Sequence, residues 1–141
     1  MITKMGRLLA IDYGLKRTGI AVSDPLKIIA SPLDTIATEK LLEWLKNYQN
    51  NEALERFIVG MPTNLDQSDT HTTQAVKQLI KKLQNDFPNI PVSEVDERFT
   101  SKIAQQAMVL GGMKKKNRQK KENVDKISAT LILQSYLEQQ H

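Results

Sequence analysis

Cysteine is absent from this sequence of 141 residues, which excludes disulfides, zinc–thiolate sites and thiol nucleophiles. No apolar run approaches the ~20 residues that a membrane-spanning helix needs. The first residues, Met1–Arg7, are too polar for a secretory signal peptide. Together these absences predict a soluble protein of the cytoplasm that has no membrane partner.

The length and composition indicate a single domain over residues 1–141. Hydrophobic residues make up 40% of the chain, which is enough for a core that needs no disulfide or metal to hold it together. The sequence shows no internal repeat, no linker and no boundary between domains.

The basic residues are unevenly distributed. Residues 1–111 carry 13 basic and 13 acidic side chains, whereas residues 112–141 carry 7 basic and 3 acidic, so the net charge of +4 comes from the last segment. Six of the eight residues in Lys114–Lys121 are Lys or Arg. Such a cluster is typical of a surface that binds a polyanion, although a solvated loop would also account for it.

Apolar periodicity and turn residues predict the order β-β-β-α-β-α-β-α-α, which indicates the α/β class. Three strands in close succession favour an antiparallel meander, and the later alternation of strands and helices favours parallel strands, so we expect one mixed five-stranded sheet flanked by helices. The predicted strands are Arg7–Tyr13, Thr18–Ser23, one from Ile28 that breaks at Pro32, Arg56–Val59 and Pro91–Asp96. The predicted helices run from an N-cap at Thr38 to Tyr48, from Ser68 or Asp69 to Asn85, from Thr100 or Ser101 to Gly111, and over Asn123–Gln139.

Three acidic residues stand at the borders of apolar elements. Asp12 ends the first strand and Glu97 follows the fifth. Asp125 shares a helix face with Ala129 and Ile132, because the spacing is i, i+4, i+7. Carboxylates that converge repel one another unless cations lie between them, and hard oxygen ligands favour Mg²⁺ or Mn²⁺. Taken one at a time, Asp12 is better explained as a capped strand end and Glu97 as part of a surface turn. The start of a helix favours an acid at Asp125 but does not explain its alignment with the apolar stripe.

Four motifs in this sequence resemble those of the YqgF (RuvX) family. They run in the family's order and span nearly the whole chain. They are Leu9–Gly14 with Arg17–Asp24, Ile58–Pro62 with Asn64, Asp96–Ser101, and Val124–Ala129.

The resemblance implies an RNase H-like fold related to the RuvC-type resolvases. It also implies a nuclease that processes the 5′ end of pre-16S rRNA, with Holliday-junction resolvase as an older assignment. The family's acidic residues correspond here to Asp12, Glu97 and Asp125. Two divalent ions held by such residues can activate water and stabilise the leaving oxygen of a phosphodiester.

The choice between Asp96 and Glu97 is open on strand geometry, because neighbouring side chains in a strand point to opposite faces. We prefer Glu97, whose longer side chain can reach inward from the end of the strand. Arg98 contacts either a phosphate or Asp96.

Several basic and polar residues are candidates for substrate contacts. Lys16 and Arg17 lie in the first hairpin turn, close to Asp12, and ordinary turn polarity is the alternative reading. The assignment of Asn64 as a substrate contact depends mainly on the resemblance. The remaining candidates are Arg98, Lys114, Lys115, Lys116 and Arg118, whose phosphate contacts would add salt-dependent affinity with little sequence specificity.

Four functions fit these observations. The first is a metal-dependent endonuclease that acts on structured RNA. The second is a resolvase of branched four-way DNA, which would act as a two-fold dimer, whereas this chain shows no clear dimer face and we expect a monomer or weak dimer. The third is a non-catalytic RNA-binding factor in ribosome assembly. The fourth, a nucleotide-binding fold of the actin–kinase type, needs a second domain that this length does not provide.

Overall fold

A computed structural model describes the chain over residues 6–61, 71–96 and 121–140, with the backbone alone at 71–72 and 121–126. Its strands are β1 (Arg7–Tyr13), β2 (Arg17–Ser23), β3 (Ala30–Ala37), β4 (Leu54–Met61) and β5 (Val92–Asp96). Its helices are α1 (Leu41–Asn51), α2 (His71–Asp86) and α3 (Lys121–Gln139). None of these described helices is long and apolar enough to cross a membrane.

The five strands form one mixed sheet in the order β3-β2-β1-β4-β5. β1 pairs antiparallel with β2, and β2 pairs antiparallel with β3, whereas β4 runs parallel to β1 and to β5. The predicted fold class, an α/β protein with a meander followed by parallel strands, is therefore confirmed. The predicted short helix that ends at Gly111 lies outside the described residues.

Both faces of the central strands are buried, which explains the apolar runs in β1 and β4. α1 and α2 cover one face, which we call the α1–α2 face, and α3 covers the other, the α3 face. Strand residues buried on the α1–α2 face are Leu9, Ile11, Ile20, Val22, Leu54, Phe57 and Val59. Strand residues buried on the α3 face are Leu8, Ala10, Ala21, Ile58 and Val95.

The third strand differs from its prediction. It does not break at Pro32 but continues to Ala37. β3 is an edge strand, where a proline can leave its missing N–H on the unpaired side. The register shifts between Ile20 and Ala21 of β2, which pair with Asp34 and Pro32, so Leu33 is an extra residue in the strand. The sequence pattern suggested that the strand ends at Pro32. In the structure the extra residue forms a β-bulge, and the strand continues beyond it.

The start of the first helix also differs from its prediction. Thr38 does not cap it; a 3₁₀ turn over Thr38–Lys40 comes first, and α1 begins at Leu41. The residue before the 3₁₀ turn, Ala37, makes no capping hydrogen bond through its side chain. The Thr38 hydroxyl bonds to a distant segment instead, because β3 brings it beside the β1–β2 turn.

The loop between β2 and β3 is organised around the carboxylate of Asp24. Its Oδ1 accepts hydrogen bonds from the N–H groups of Ile28 (2.7 Å) and Ile29 (2.8 Å), and its Oδ2 accepts one from Leu26 (3.2 Å). Lys27, between them, adopts a left-handed backbone with φ of 59°. These hydrogen bonds hold the pKa of Asp24 below its ordinary 3.8, and the bond from Ile29 has the largest effect.

Replacing Asp24 with asparagine is expected to lower the melting temperature at neutral pH. The ionised form accepts the backbone hydrogen bonds, so the contribution of Asp24 is present above pH 3.8 and is lost as the pH falls through its lowered pKa. Thermal unfolding of the wild type and of Asp24→Asn at pH 7 and near pH 3 measures this. We expect a gap in melting temperature at pH 7 that narrows in acid; an equal gap at both pH values contradicts the assignment.

Candidate active site

Asp12 lies in the middle strand of the sheet and is half-buried. Side chains alternate along β1, and Ile11 and Tyr13 lie on the α1–α2 face, so the Asp12 carboxylate is on the α3 face with Leu8 and Ala10. Its neighbour on β2 is Gly19. A carboxylate therefore stands at the end of an otherwise apolar row, where burial would be costly without compensating groups.

The carboxyl ends of β1, β4 and β5 lie at one edge of the sheet, because the three strands are parallel. Asp96, the last residue of β5, pairs with Met61 and is exposed. Val95 is buried on the α3 face, so Asp96 is on the α1–α2 face. The carboxylates of Asp12 and Asp96 thus belong to opposite faces of the sheet.

Helix α3 covers the face on which Asp12 lies. The predicted stripe is confirmed where side chains are described: Ala129 and Ile132 are fully buried and Tyr136 is half-buried, all against the α3 face. Asp125 lies on this helix, one turn before Ala129; only its backbone is described.

The other predicted site residues lie outside the described part of the chain. They are Glu97, Asn64, Arg98, Lys114, Lys115, Lys116 and Arg118. Among the residues that are described, no three acidic or histidine side chains come together as a metal-binding group. The three-carboxylate site therefore stays a prediction. Of its three side chains, the structure describes only that of Asp12.

The β1–β2 turn, residues 14–16, follows Asp12 and carries an exposed Lys16, with a half-buried Arg17 directly after it. A Cβ on Gly14 would lie 2.3 Å from the carbonyl oxygen of Arg17, far inside van der Waals contact. Only glycine fits this close approach, so Gly14 sets the shape of the turn that presents Lys16.

Two threonines that the sequence analysis did not propose as site residues lie beside this turn: Thr38 bonds to the turn, and Thr18 bonds to Thr38. The Thr38 hydroxyl lies 2.7 Å from the carbonyl oxygen of Gly14 and 2.8 Å from the hydroxyl of Thr18, which is fully buried. Thr18 could have been noticed, because it has the same strand parity as buried Ile20 and Val22. Thr38 had no such signal, since a threonine before an apolar periodic segment is typical of an N-cap.

The class of this protein follows from the arrangement above: an α/β protein with strand order β3-β2-β1-β4-β5 and an acidic residue at the end of its middle strand. A family model named RuvX and described as a Holliday junction resolvase matches residues 6–139. The chain belongs to the RuvX family, a family of nucleases with an RNase H-like fold. The resemblance seen in its motifs is confirmed.

Curated relatives match over nearly their whole length. A protein of Amoebophilus asiaticus is 52% identical over 133 residues, covering 94% of each chain. One from Christiangramia forsetii is 51% identical over 137 residues, covering 94% of this chain and 98% of its own. One from Phocaeicola vulgatus is 52% identical over 134 residues, covering 95% and 96%. Each bears the name "Putative pre-16S rRNA nuclease".

A solved structure of Pelota from Archaeoglobus fulgidus aligns with 96% of this chain and 37% of its own, at 14% identity and a TM-score of 0.45. A similarity of that size supports no inference about function.

Proposed function

We propose that this chain is a metal-dependent endonuclease that hydrolyses phosphodiester bonds in the 5′ region of pre-16S rRNA, acting in the cytoplasm as a single domain over residues 1–141. The observation that carries the proposal is the half-buried carboxylate of Asp12, at the carboxyl end of the middle strand, on the face that α3 covers. The names of the relatives support the substrate.

We assign Asp12, Glu97 and Asp125 to the catalytic site as metal ligands. The faces of the described residues support this set. Asp96 is on the wrong face to meet Asp12, and continued alternation would direct the next side chain, that of Glu97, to the α3 face. On α3, residue 125 precedes Ala129 and Ile132 by four and seven positions, and both are fully buried against that face.

The chemistry of these donors fits a divalent metal, and we propose Mg²⁺ or Mn²⁺. Carboxylate oxygens are hard ligands, and the described residues include no cysteine that would favour a softer ion. Bound divalent metal would supply charge stabilisation for the attacking and leaving oxygens of the phosphodiester. The chain's own task is to hold three carboxylates in one place, and no covalent enzyme intermediate is needed.

Basic side chains would bind the phosphates next to the scissile bond. Among the described residues, exposed Lys16 and half-buried Arg17 follow Asp12 by four and five positions, within the same hairpin. Contacts of Lys and Arg to phosphate position a nucleic acid without reading its sequence. We propose that the remaining candidates extend the same surface: Asn64, Arg98, Lys114, Lys115, Lys116 and Arg118.

A second candidate function is resolution of four-way DNA junctions, which the description of the family model favours. The two activities share the carboxylate site and differ in the nucleic acid that they hold. Resolvases cut two strands symmetrically and generally act as two-fold dimers, whereas cleavage of an RNA leader needs only one subunit. We propose a monomer or weak dimer, in keeping with the RNA substrate.

A cleavage assay on two labelled substrates, a pre-16S 5′ leader and a synthetic four-way DNA junction, tests the proposal. Each substrate is incubated with Mg²⁺, Mn²⁺ or EDTA. We expect the leader RNA to be cut with either metal and to stay intact in EDTA. Cutting of the junction alone assigns the chain to the resolvases, and binding of RNA without cutting under any condition assigns it to the non-catalytic binding factors.

A further inference from the structure

We propose that Thr38 is a positioning residue, which holds the β1–β2 turn so that Lys16 reaches a substrate phosphate beside Asp12. The inference rests on the proposed function, because it takes Lys16 as a phosphate contact. Thr38 is 22 positions beyond Lys16 in the sequence and reaches the turn only through the pairing of β2 with β3.

Thr38 contacts the turn through both its backbone and its side chain. Its N–H donates to the carbonyl oxygen of Lys16 at 3.0 Å, which adds one rung beyond the Arg17–Ala37 pair of the β2–β3 ladder. Its hydroxyl donates to the carbonyl oxygen of Gly14 at 2.7 Å. The two bonds fix the carbonyl groups on either side of Leu15.

The hydroxyls of Thr18 and Thr38 form an ordered relay. The single hydroxyl proton of Thr38 is used in the bond to Gly14, so in the 2.8 Å contact between the two hydroxyls Thr18 is the donor. Because Thr18 is fully buried, its hydroxyl needs this partner. The relay runs from Thr18 through Thr38 to the Gly14 carbonyl.

The residues at the tip of the β1–β2 turn are exposed. Leu15 is 66% exposed and Lys16 is exposed, so burial of apolar surface does not fix the turn. Asp12, in contrast, is paired with Gly19 inside the β1–β2 ladder. Loss of the Thr38 hydroxyl should therefore move Lys16 and leave Asp12 in place, which separates an effect on substrate binding from an effect on the chemical step.

The test compares Thr38→Val with Thr38→Ser, each alone and combined with Lys16→Ala. Affinity for the labelled 5′ leader RNA is measured in EDTA over a range of salt concentrations. Lys16→Ala is expected to weaken binding and to lower the salt slope by about 1, as the loss of one phosphate contact does. Thr38→Val is expected to reproduce most of that loss, and Thr38→Ser to bind as the wild type does.

The combination with Lys16→Ala is decisive. If Thr38 acts through Lys16, Thr38→Val causes no further loss once Lys16 has been removed. Equal losses in both backgrounds, or no loss in either, overturn the proposal. Wild-type affinity of Lys16→Ala overturns it too, but then the failure lies in the assignment of Lys16 as a phosphate contact, whereas the proposed function fails only if the wild type does not cut the leader.

Two further measurements separate positioning from general stability. Steady-state cleavage by Thr38→Val should show a raised KM with kcat little changed, since the ladder still holds Asp12. Thr18→Val removes one bond of the relay but keeps the bond from Thr38 to Gly14, so it should bind RNA normally even if it unfolds more easily. Should Thr38→Val fail to fold, Thr38→Ala carries the same expectation, and normal RNA affinity in that variant overturns the proposal.

Discussion

Asp12→Asn is expected to reduce RNA cleavage roughly a thousandfold or more while the protein stays folded, because an electrostatic group that acts in the transition state is lost. Asparagine keeps the shape of the side chain and removes its negative charge. A neutral amide is a poor ligand for a hard divalent ion. Single-turnover cleavage of the 5′ leader in Mg²⁺ measures the loss. The rate constant for cleavage of bound RNA should fall, whereas the affinity for the RNA should change little.

The unfolding of the same variant distinguishes a lost ligand from a damaged fold. Without metal, Asp12→Asn should melt near the wild-type temperature, because asparagine keeps the size of this half-buried side chain and an oxygen that accepts hydrogen bonds. With Mg²⁺, the wild type should gain stability by binding the ion and the variant should gain less. A lower melting temperature in EDTA would mean that Asp12 has a structural role.

Asp96→Asn is the matched control for Asp12→Asn. Both changes neutralise an aspartate at the carboxyl edge of the sheet, but Asp96 is exposed and on the α1–α2 face. We expect Asp96→Asn to cut RNA as the wild type does and Glu97→Gln to fail as Asp12→Asn does. The opposite pattern would make Asp96 the ligand and overturn the assignment of Glu97.

The stripe on α3 could be predicted from the sequence, and so could the extent of β1. The stripe follows from the 3.6-residue repeat of a helix with one buried face. β1 is recognised as a continuous apolar run, but such a run does not show on which face Asp12 lies. The bounds of β1 agree with the prediction at both ends. An element that packs against a buried core must be apolar where it is buried, so its extent can be predicted from its sequence alone.

The misread segments are those whose partners lie far away in the sequence. Pro32 reads as the end of a strand, but the place of β3 at the edge of the sheet makes the proline acceptable. Thr38 reads as an N-cap, but its hydroxyl bonds to Gly14, 24 positions earlier. Sequence patterns interpret Pro32 and Thr38 from their neighbours in the chain. Their actual contacts are set by the pairing of β2 with β3, which such patterns do not include.

Gly14→Ala is expected to destabilise the protein by about 1–3 kcal/mol, the usual range for an added methyl group that has no space. The Cβ would lie 2.3 Å from the carbonyl oxygen of Arg17, and that oxygen belongs to backbone, which cannot rotate away as a flexible side chain can. The turn must therefore open. Urea unfolding measures the loss in free energy, and Leu15→Ala, a change at the exposed neighbour, should cost almost nothing by the same measurement.

The same substitution should also weaken RNA binding, because the turn that opens is the one that presents Lys16. Gly14 and Thr38 would then act on one conformation by two routes: Gly14 by permitting the close approach to Arg17, and Thr38 by bonding the Gly14 carbonyl. Two changes that disrupt the same conformation are not additive. In a double-mutant cycle, Gly14→Ala with Thr38→Val should lose less RNA affinity than the two single losses combined. Additive losses would mean that the turn has no single conformation that serves the substrate.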